Sequence, residues 1–197
     1  AAANFPDFAN SKENIARDLA LAKDAGFTDI VVDVRPTTGD VLFKTNHVDQ
    51  VKFMYAWIGS NYTKVERTAT WDYLQAFVDE ARKQGLRIHA AINTFVGGNQ
   101  IDGGTGLLYR DQSKAAWATQ MNMQTGITSV MNTSESAKFF NPAHPEVQTF
   151  LCNLLKDLAS YDLDGIFLDR GRFLNLQADF SEESRKQFEA YMGGIKI

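Results

Sequence analysis

Three times along this chain an amphipathic segment ends in a turn signal and runs directly into a short apolar strand with a polar tip. The units are Lys23-Asp24-Ala25-Gly26-Phe27 into Asp29 to Arg35, Lys83-Gln84-Gly85-Leu86 into Arg87 to Asn93, and Ser160-Tyr161-Asp162-Leu163 into Asp164 to Asp169. Glycine just past a helix supplies the left-handed residue that ends it. Helix-to-strand units repeated in this way imply a parallel sheet. The chain is therefore expected to be an α/β protein.

The covering helices follow from apolar spacing. Ser11 is placed to cap a first helix, with Ile15, Leu19 and Ala22 on one face. Thr70 precedes a second, in which Tyr73, Leu74, Phe77, Val78 and Ala81 recur at helical intervals and Asp72 favours the positive end of the dipole. A third starts near Pro145 and buries Val147, Phe150, Leu151, Leu154, Leu155 and Leu158. Ser181 opens a fourth, whose apolar side is Phe188, Tyr191 and Met192.

At 197 residues, with 44% hydrophobic and 22% charged, the chain is long enough for one domain with a sizeable core, and residues 1–197 are read as one domain. A net charge of -4 supplies no electrostatic reason to expect nucleic acid or an anionic membrane as partner. No membrane span is legible, and no signal peptide. Cys152 falls in the third helical pattern and is expected to be a small core residue.

Alternation along the strands separates their two faces. Ile30, Val32 and Val34 oppose Val31, Asp33 and Arg35; Ile88, Ala90 and Ile92 oppose His89, Ala91 and Asn93; Ile166 and Leu168 oppose Gly165, Phe167 and Asp169. One face suits covering helices, and the other turns polar toward the strand ends. The run Ile166-Phe167-Leu168 reads as a strand buried on both faces. It delivers Asp169, followed by Arg170 and Arg172, to the carboxyl end of the strand, where α/β sheets and barrels place their chemistry.

Two long connections leave from strand ends. Residues 94–140 hold Gly97-Gly98 and Gly103-Gly104-Thr105-Gly106, with Tyr109 and Trp117, and are read as an insertion loop over the site, either a binding lid or a decoration. Residues 36–69 carry Tyr55, Trp57 and Tyr62, and aromatic faces of this kind suit stacking against sugar rings or filling a core.

VVDVRPTTGDVLF, RIHAAINTF, FFNPAHPEV and DLDGIFLDRGRF, in this order and spacing, resemble the glycosyl-hydrolase-like family 10 proteins, family 10-like or α-amylase-like glycosidases of bacteria. The resemblance runs from Asn4-Phe5 through the helix after Ser181. It implies a (β/α)8 TIM-barrel fold with its site at the strand C-termini, hydrolysis of glycosidic bonds in oligo- or polysaccharides, and a secreted, periplasmic or cell-surface setting. Asp169 closes the family's DGI-x-LD motif and by position resembles the nucleophile of amylase-like barrels. Arg170 and Arg172 would hold it ionised. His89 and Asn93 match the His-Ala-x-x-Asn strand and either bind sugar hydroxyls or fill the core. Asp33 and Arg35 either form a buried ion pair or touch substrate. Trp57 completes the expected substrate-binding set, and Asp164, at its strand's start, is read as structural.

The chain covers roughly four β/α units, where a barrel of this type takes about 250 residues. It is expected to be part of a barrel, completed by a further half or by self-association, with the general acid supplied downstream or by Asp33 or Asp40. Neither a cofactor nor a metal is expected: no HExxH, CxxC, Walker loop, strand-coupled GxGxxG or GxSxG appears. The alternative on the same residues is a catalytically inactive carbohydrate-binding barrel domain.

Overall fold

The structure, a computed structural model, describes residues 4–197. In chain order the elements are α1 (Phe5–Phe8), α2 (Lys12–Asp24), β1 (Asp29–Arg35), β2 (Phe53–Ile58), β3 (Asn61–Glu66), α3 (Tyr73–Gln84), β4 (Arg87–Asn93), β5 (Val96–Asn99), α4 (Leu107–Arg110), β6 (Gln120–Met123), β7 (Gly126–Ser129), β8 (Ala137–Phe139), α5 (Pro145–Leu158), β9 (Gly165–Asp169) and α6 (Glu182–Tyr191). The described residues form two compact units, residues 4–36, 40–92 and 155–169, and residues 37–39, 93–154 and 170–197.

The first unit is an α/β layer. Its sheet has the order β1-β4-β9. β1 and β4 are parallel, with Asp29 opposite Arg87, Val31 opposite His89 and Asp33 opposite Ala91. Asp164 N donates to Ile88 O at 2.8 Å and fixes the entry of β9 beside β4. Three strands do not close, and among the described residues no sheet forms a barrel.

Local chemistry sets the helix ends. Ser11 Oγ accepts from Asn14 N at 3.1 Å to start α2. The helix expected after Thr70 begins at Tyr73 because Asp72 supplies the capping oxygen, accepting from Gln75 N at 3.1 Å. It stops at Gly85, whose φ of 67° is the left-handed turn the sequence asks for. Ile15 and Leu19 of α2, Leu74, Phe77, Val78 and Ala81 of α3, Val32 and Val34 of β1, and Ile88, Ala90 and Ile92 of β4 are buried. At about 25 cal/mol per Å² of apolar area removed from water, this layer is the main source of cohesion in the unit.

One expectation about the sheet fails. β9 is not covered on both faces: Phe167 is 58% and Leu168 52% exposed, because β9 is an outer strand of the sheet, with a neighbour on one side. Within the connection 36–69, β2 and β3 form an antiparallel hairpin that pairs Tyr55 with Lys64 and Trp57 with Tyr62. Met54 and Ala56 alternate inward while Trp57 stays 68% exposed.

The second unit is built from short pairings, β5 with β8 and β6 with β7, and from most of α5 and α6. Trp117 packs against Phe140 and Phe150, with ring centroids 5.9 and 5.5 Å away. Three backbone segments meet at glycines: a Cβ on Gly106 would lie 2.5 Å from Gly98 Cα and 2.8 Å from Thr38 O. Lys138 is buried and donates to Val130 O at 3.1 Å and Thr133 O at 3.0 Å. Ser181 caps α6, and Asp179 beside it accepts from Gln120 N, Thr119 Oγ1, Ser184 Oγ and Ser181 Oγ.

Cys152 is exposed on α5 rather than buried in its core. The expected apolar side of α6 also faces out, with Phe188, Tyr191 and Met192 exposed. Glu189 is the residue of that helix that buries, because Arg185 and Lys196 pair with its two oxygens at 2.5 and 2.8 Å. Among the described residues no helix is long and apolar enough to cross a membrane.

Candidate functional site at the strand tips

Every second residue of the three sheet strands lies on one face, and in the first unit this face carries two different sets of charges. At the strand starts, Asp29 accepts from Arg87 Nη2 at 2.7 Å, from Thr28 Oγ1 at 2.6 Å and sits 2.9 Å from His89 Nε2. Arg87, then Thr28 and His89, hold the Asp29 carboxyl well below the usual carboxylate range. Gly165 admits the imidazole, since a Cβ there would come within 2.8 Å of His89 Nδ1. His89 is thus engaged low on the face by Asp29, below the strand tips where Asp33 and Asp169 lie.

Toward the tips the face changes character. Asp33 is half-buried, and its Oδ1 accepts from Arg35 N at 3.2 Å. Burial pushes its carboxyl up, and the negative charge of Asp169 adds to the effect. Asp169 ends β9 and is exposed. One carboxyl that resists ionisation therefore shares a sheet face with a solvent-accessible one.

Arg35 is 0% exposed. The pairing of β1 with β4 slips between Asp33 and Arg35, so Arg35 lies opposite Ile92. Strict alternation along β1 breaks at this bulge. Burial pulls the guanidinium down to about 10, while Asp40 and then Asp33 favour its charged form. Arg35 therefore acts from inside, as a charge facing Asp33 and the buried Asp40.

Of the remaining expected residues, Asn93 ends β4 and Arg170 follows directly on Asp169. Trp57 sits on the hairpin, 5.3 Å from the Tyr62 ring, which in turn stacks 5.3 Å from Tyr55. Asn93 is buried and belongs to the second unit, as do Arg170 and Arg172. Arg170 turns the chain after β9 with a φ of 48°. Arg172 Nη1 donates to Phe173 O at 3.0 Å and Leu174 O at 2.6 Å, bracing its own loop.

Tyr73 was expected only as a core residue, yet its buried hydroxyl feels Asp33 and is pushed above the ordinary phenol range, chiefly by burial. Its position as the first residue of α3, directly after the cap, was the available signal. Asp40, one of the expected candidate acids, is buried and faces Arg35.

A parallel sheet with covering helices defines the first unit as an α/β fold. Over residues 2–193 the chain matches the family described as glycosyl hydrolase-like 10, and it belongs to that family. It is 31% identical over 198 residues to an S-layer-related protein of Niallia circulans, an alignment covering 98% of this chain and 12% of that protein. The chain thus spans a small part of that relative's length. It also shares its fold with the crystal structure of a hypothetical protein from Ruminiclostridium thermocellum, with a TM-score of 0.59 and 15% identity over 93% of this chain and 86% of the other.

Proposed function

We propose that this chain supplies the first strands of a (β/α)8 glycoside hydrolase barrel, and that Asp33 and Asp169 are its acid–base pair. The observation that carries the reading is the contrast between them: a half-buried carboxyl pushed toward its protonated form on the same face as an exposed carboxyl. Paired groups whose environments drive their proton affinities apart are what acid–base hydrolysis requires. Family membership supplies the reaction class. The uncovered apolar side chains Val31, Phe167 and Leu168 support the barrel, since further strands and helices would bury them.

Asp33 and Asp169 stand on strands two apart, and two gaps of about 4.8 Å each favour the wider carboxyl separation of inverting enzymes. In that mechanism protonated Asp33 gives its proton to the glycosidic oxygen as the bond to the anomeric carbon breaks. Asp169 takes a proton from the water whose oxygen bonds to that carbon. Arg35 keeps its positive charge near Asp33 and Asp40. This assigns Asp169 as base rather than nucleophile. The name of the Niallia relative supports a cell-surface setting.

The test is release of reducing sugar from a panel of α- and β-linked glycans, with the product anomer followed by NMR. Asp33→Asn and Asp169→Asn should each lower turnover by on the order of 10²–10⁴-fold and leave binding nearly intact. Unchanged turnover in either variant removes that residue from the pair. The exposed Trp57 and Tyr62 favour a second reading, a carbohydrate-binding domain without turnover. Glycan binding in the absence of any hydrolysis selects it.

A further inference from the structure

The first unit also holds a cleft of about 710 Å³ lined by residues 44–46, 50–52, 67, 69–72 and 157. Its volume falls within the roughly 300–1,000 Å³ of small-molecule sites. The cleft brings together three cations, Lys44, Lys52 and Arg67, and two carboxylates, Asp72 and Asp157. Both carboxylates are already occupied. Asp72 accepts from Gln75 N at 3.1 Å and from the Tyr161 hydroxyl at 2.6 Å, and Asp157 accepts from Thr45 Oγ1 at 2.6 Å.

The cations are differently placed. Lys44 and Lys52 are exposed, and among the described residues neither ammonium makes an ion pair. Arg67 is fixed: its guanidinium donates to Ala69 O and Trp71 O at 2.5 Å each and lies 5.0 Å from the Trp71 ring. Its Nε is buried without a hydrogen-bond partner. The wall formed by Arg67 and Trp71 is therefore fixed, and the cleft sets three cations against two carboxylates, with neither lysine in an ion pair. The start of α3 at Asp72 adds its partial positive charge to the same side.

We propose that this cleft binds an acidic saccharide, with a ring carboxylate held by Lys44 and Lys52 and the sugar face against Trp71. The saccharide half of the inference rests on the proposed function. The anionic half rests on the charge balance of the cleft alone. Lysine binds carboxylate as a strongly hydrated point charge, so such a site discriminates by charge and weakens with salt.

Calorimetric titration of the whole chain with trigalacturonate and with a neutral galactotriose tests it. The acidic trimer should bind more tightly than the neutral one, and less tightly at high salt. It should lose roughly tenfold or more in affinity in Lys44→Ala/Lys52→Ala, the size of effect expected of charge-assisted hydrogen bonds. Asp169→Asn should leave this affinity unchanged, and quenching of tryptophan fluorescence should accompany binding in the wild type. Equal affinity for both trimers, insensitive to the lysines, overturns the acidic cleft and leaves the carbohydrate reading standing. Loss of binding in Asp169→Asn with retention in the lysine variant moves the ligand to the strand tips and overturns it too. Binding of neither trimer also overturns it, while hydrolysis of the glycan panel judges the proposed function separately.

Discussion

Asp33 and Asp169 lie on one face of the same sheet, two strands apart, and the charge of Asp169 helps burial to push the Asp33 carboxyl above its ordinary value. Asp33 is half-buried and Asp169 exposed.

A titration of the Asp33 carboxyl by carbon-detected NMR should therefore give a midpoint above 3.8, the ordinary value for aspartate. In Asp169→Asn that midpoint should fall. The linkage has a definite sign: a raised folded-state value means the folded state holds its proton longer than the unfolded chain. Its contribution to stability is present below 3.8 and is lost as pH rises through the folded-state midpoint. Asp33→Asn should accordingly gain stability relative to wild type on going from acid to neutral pH. A constant difference across that range would contradict the assignment.

Arg35 supports a second expectation. It is fully buried and faces Asp40, itself 6% exposed, and Asp33. Replacing one partner of a buried charge pair leaves the other uncompensated, at a cost of about 3–5 kcal/mol. Arg35→Met should lower the unfolding free energy measured by denaturant titration by that amount, and Arg35→Met/Asp40→Leu should recover much of the loss. Failure of the double variant to recover would mean that Arg35 acts through its packing instead.

The three sheet strands were legible because each is short, apolar and preceded by a glycine or turn that ends a helix. Asp29 to Arg35 and Arg87 to Asn93 fall at the expected bounds, and the third strand starts one residue later, at Gly165. Side-chain alternation placed Asp33 and Asp169 on a common face. It could not show the slip after Asp33, which is a backbone event with no residue signature, and so could not set Arg35 opposite Ile92. The hairpin was hidden for another reason: Phe53-Met54-Tyr55-Ala56-Trp57-Ile58 is apolar at every position, so no polar face marked its period. The cleft cations are far apart in sequence, and only folding brings Lys44 and Arg67 to one wall.

Gly106 provides a test of the second unit. Its φ is +82°, and an added Cβ would meet backbone atoms that cannot swing away: Gly98 Cα at 2.5 Å, Gly97 O at 2.6 Å and Thr38 O at 2.8 Å. Gly26 has a φ of +90° but nothing within 4 Å of a Cβ. Gly26→Ala should cost only the left-handed strain, about 1–2 kcal/mol, and Gly106→Ala distinctly more. Thermal unfolding of the two variants makes the comparison, and equal losses would mean that the three segments do not meet closely.

The last prediction separates His89 from the chemistry. Its Nε2 lies 2.9 Å from Asp29 Oδ1, and Arg87 Nη2 lies 2.7 Å from Oδ2. A carboxyl held below its ordinary value contributes stability above that value and loses it as pH falls through the folded-state midpoint. Acid unfolding below pH 3.8 should therefore be shallower in Asp29→Asn than in wild type. His89→Gln keeps a donor for Asp29, so it should preserve both fold and saccharide affinity, whereas His89→Ala should reduce stability and leave affinity for the folded protein unchanged. A fall in affinity with His89→Gln, at unchanged stability, would place the imidazole on the ligand and return it to the binding set. The geometry argues against that outcome, because the imidazole is turned to Asp29 at the start of β1 while the proposed acid and base stand at the opposite ends of their strands.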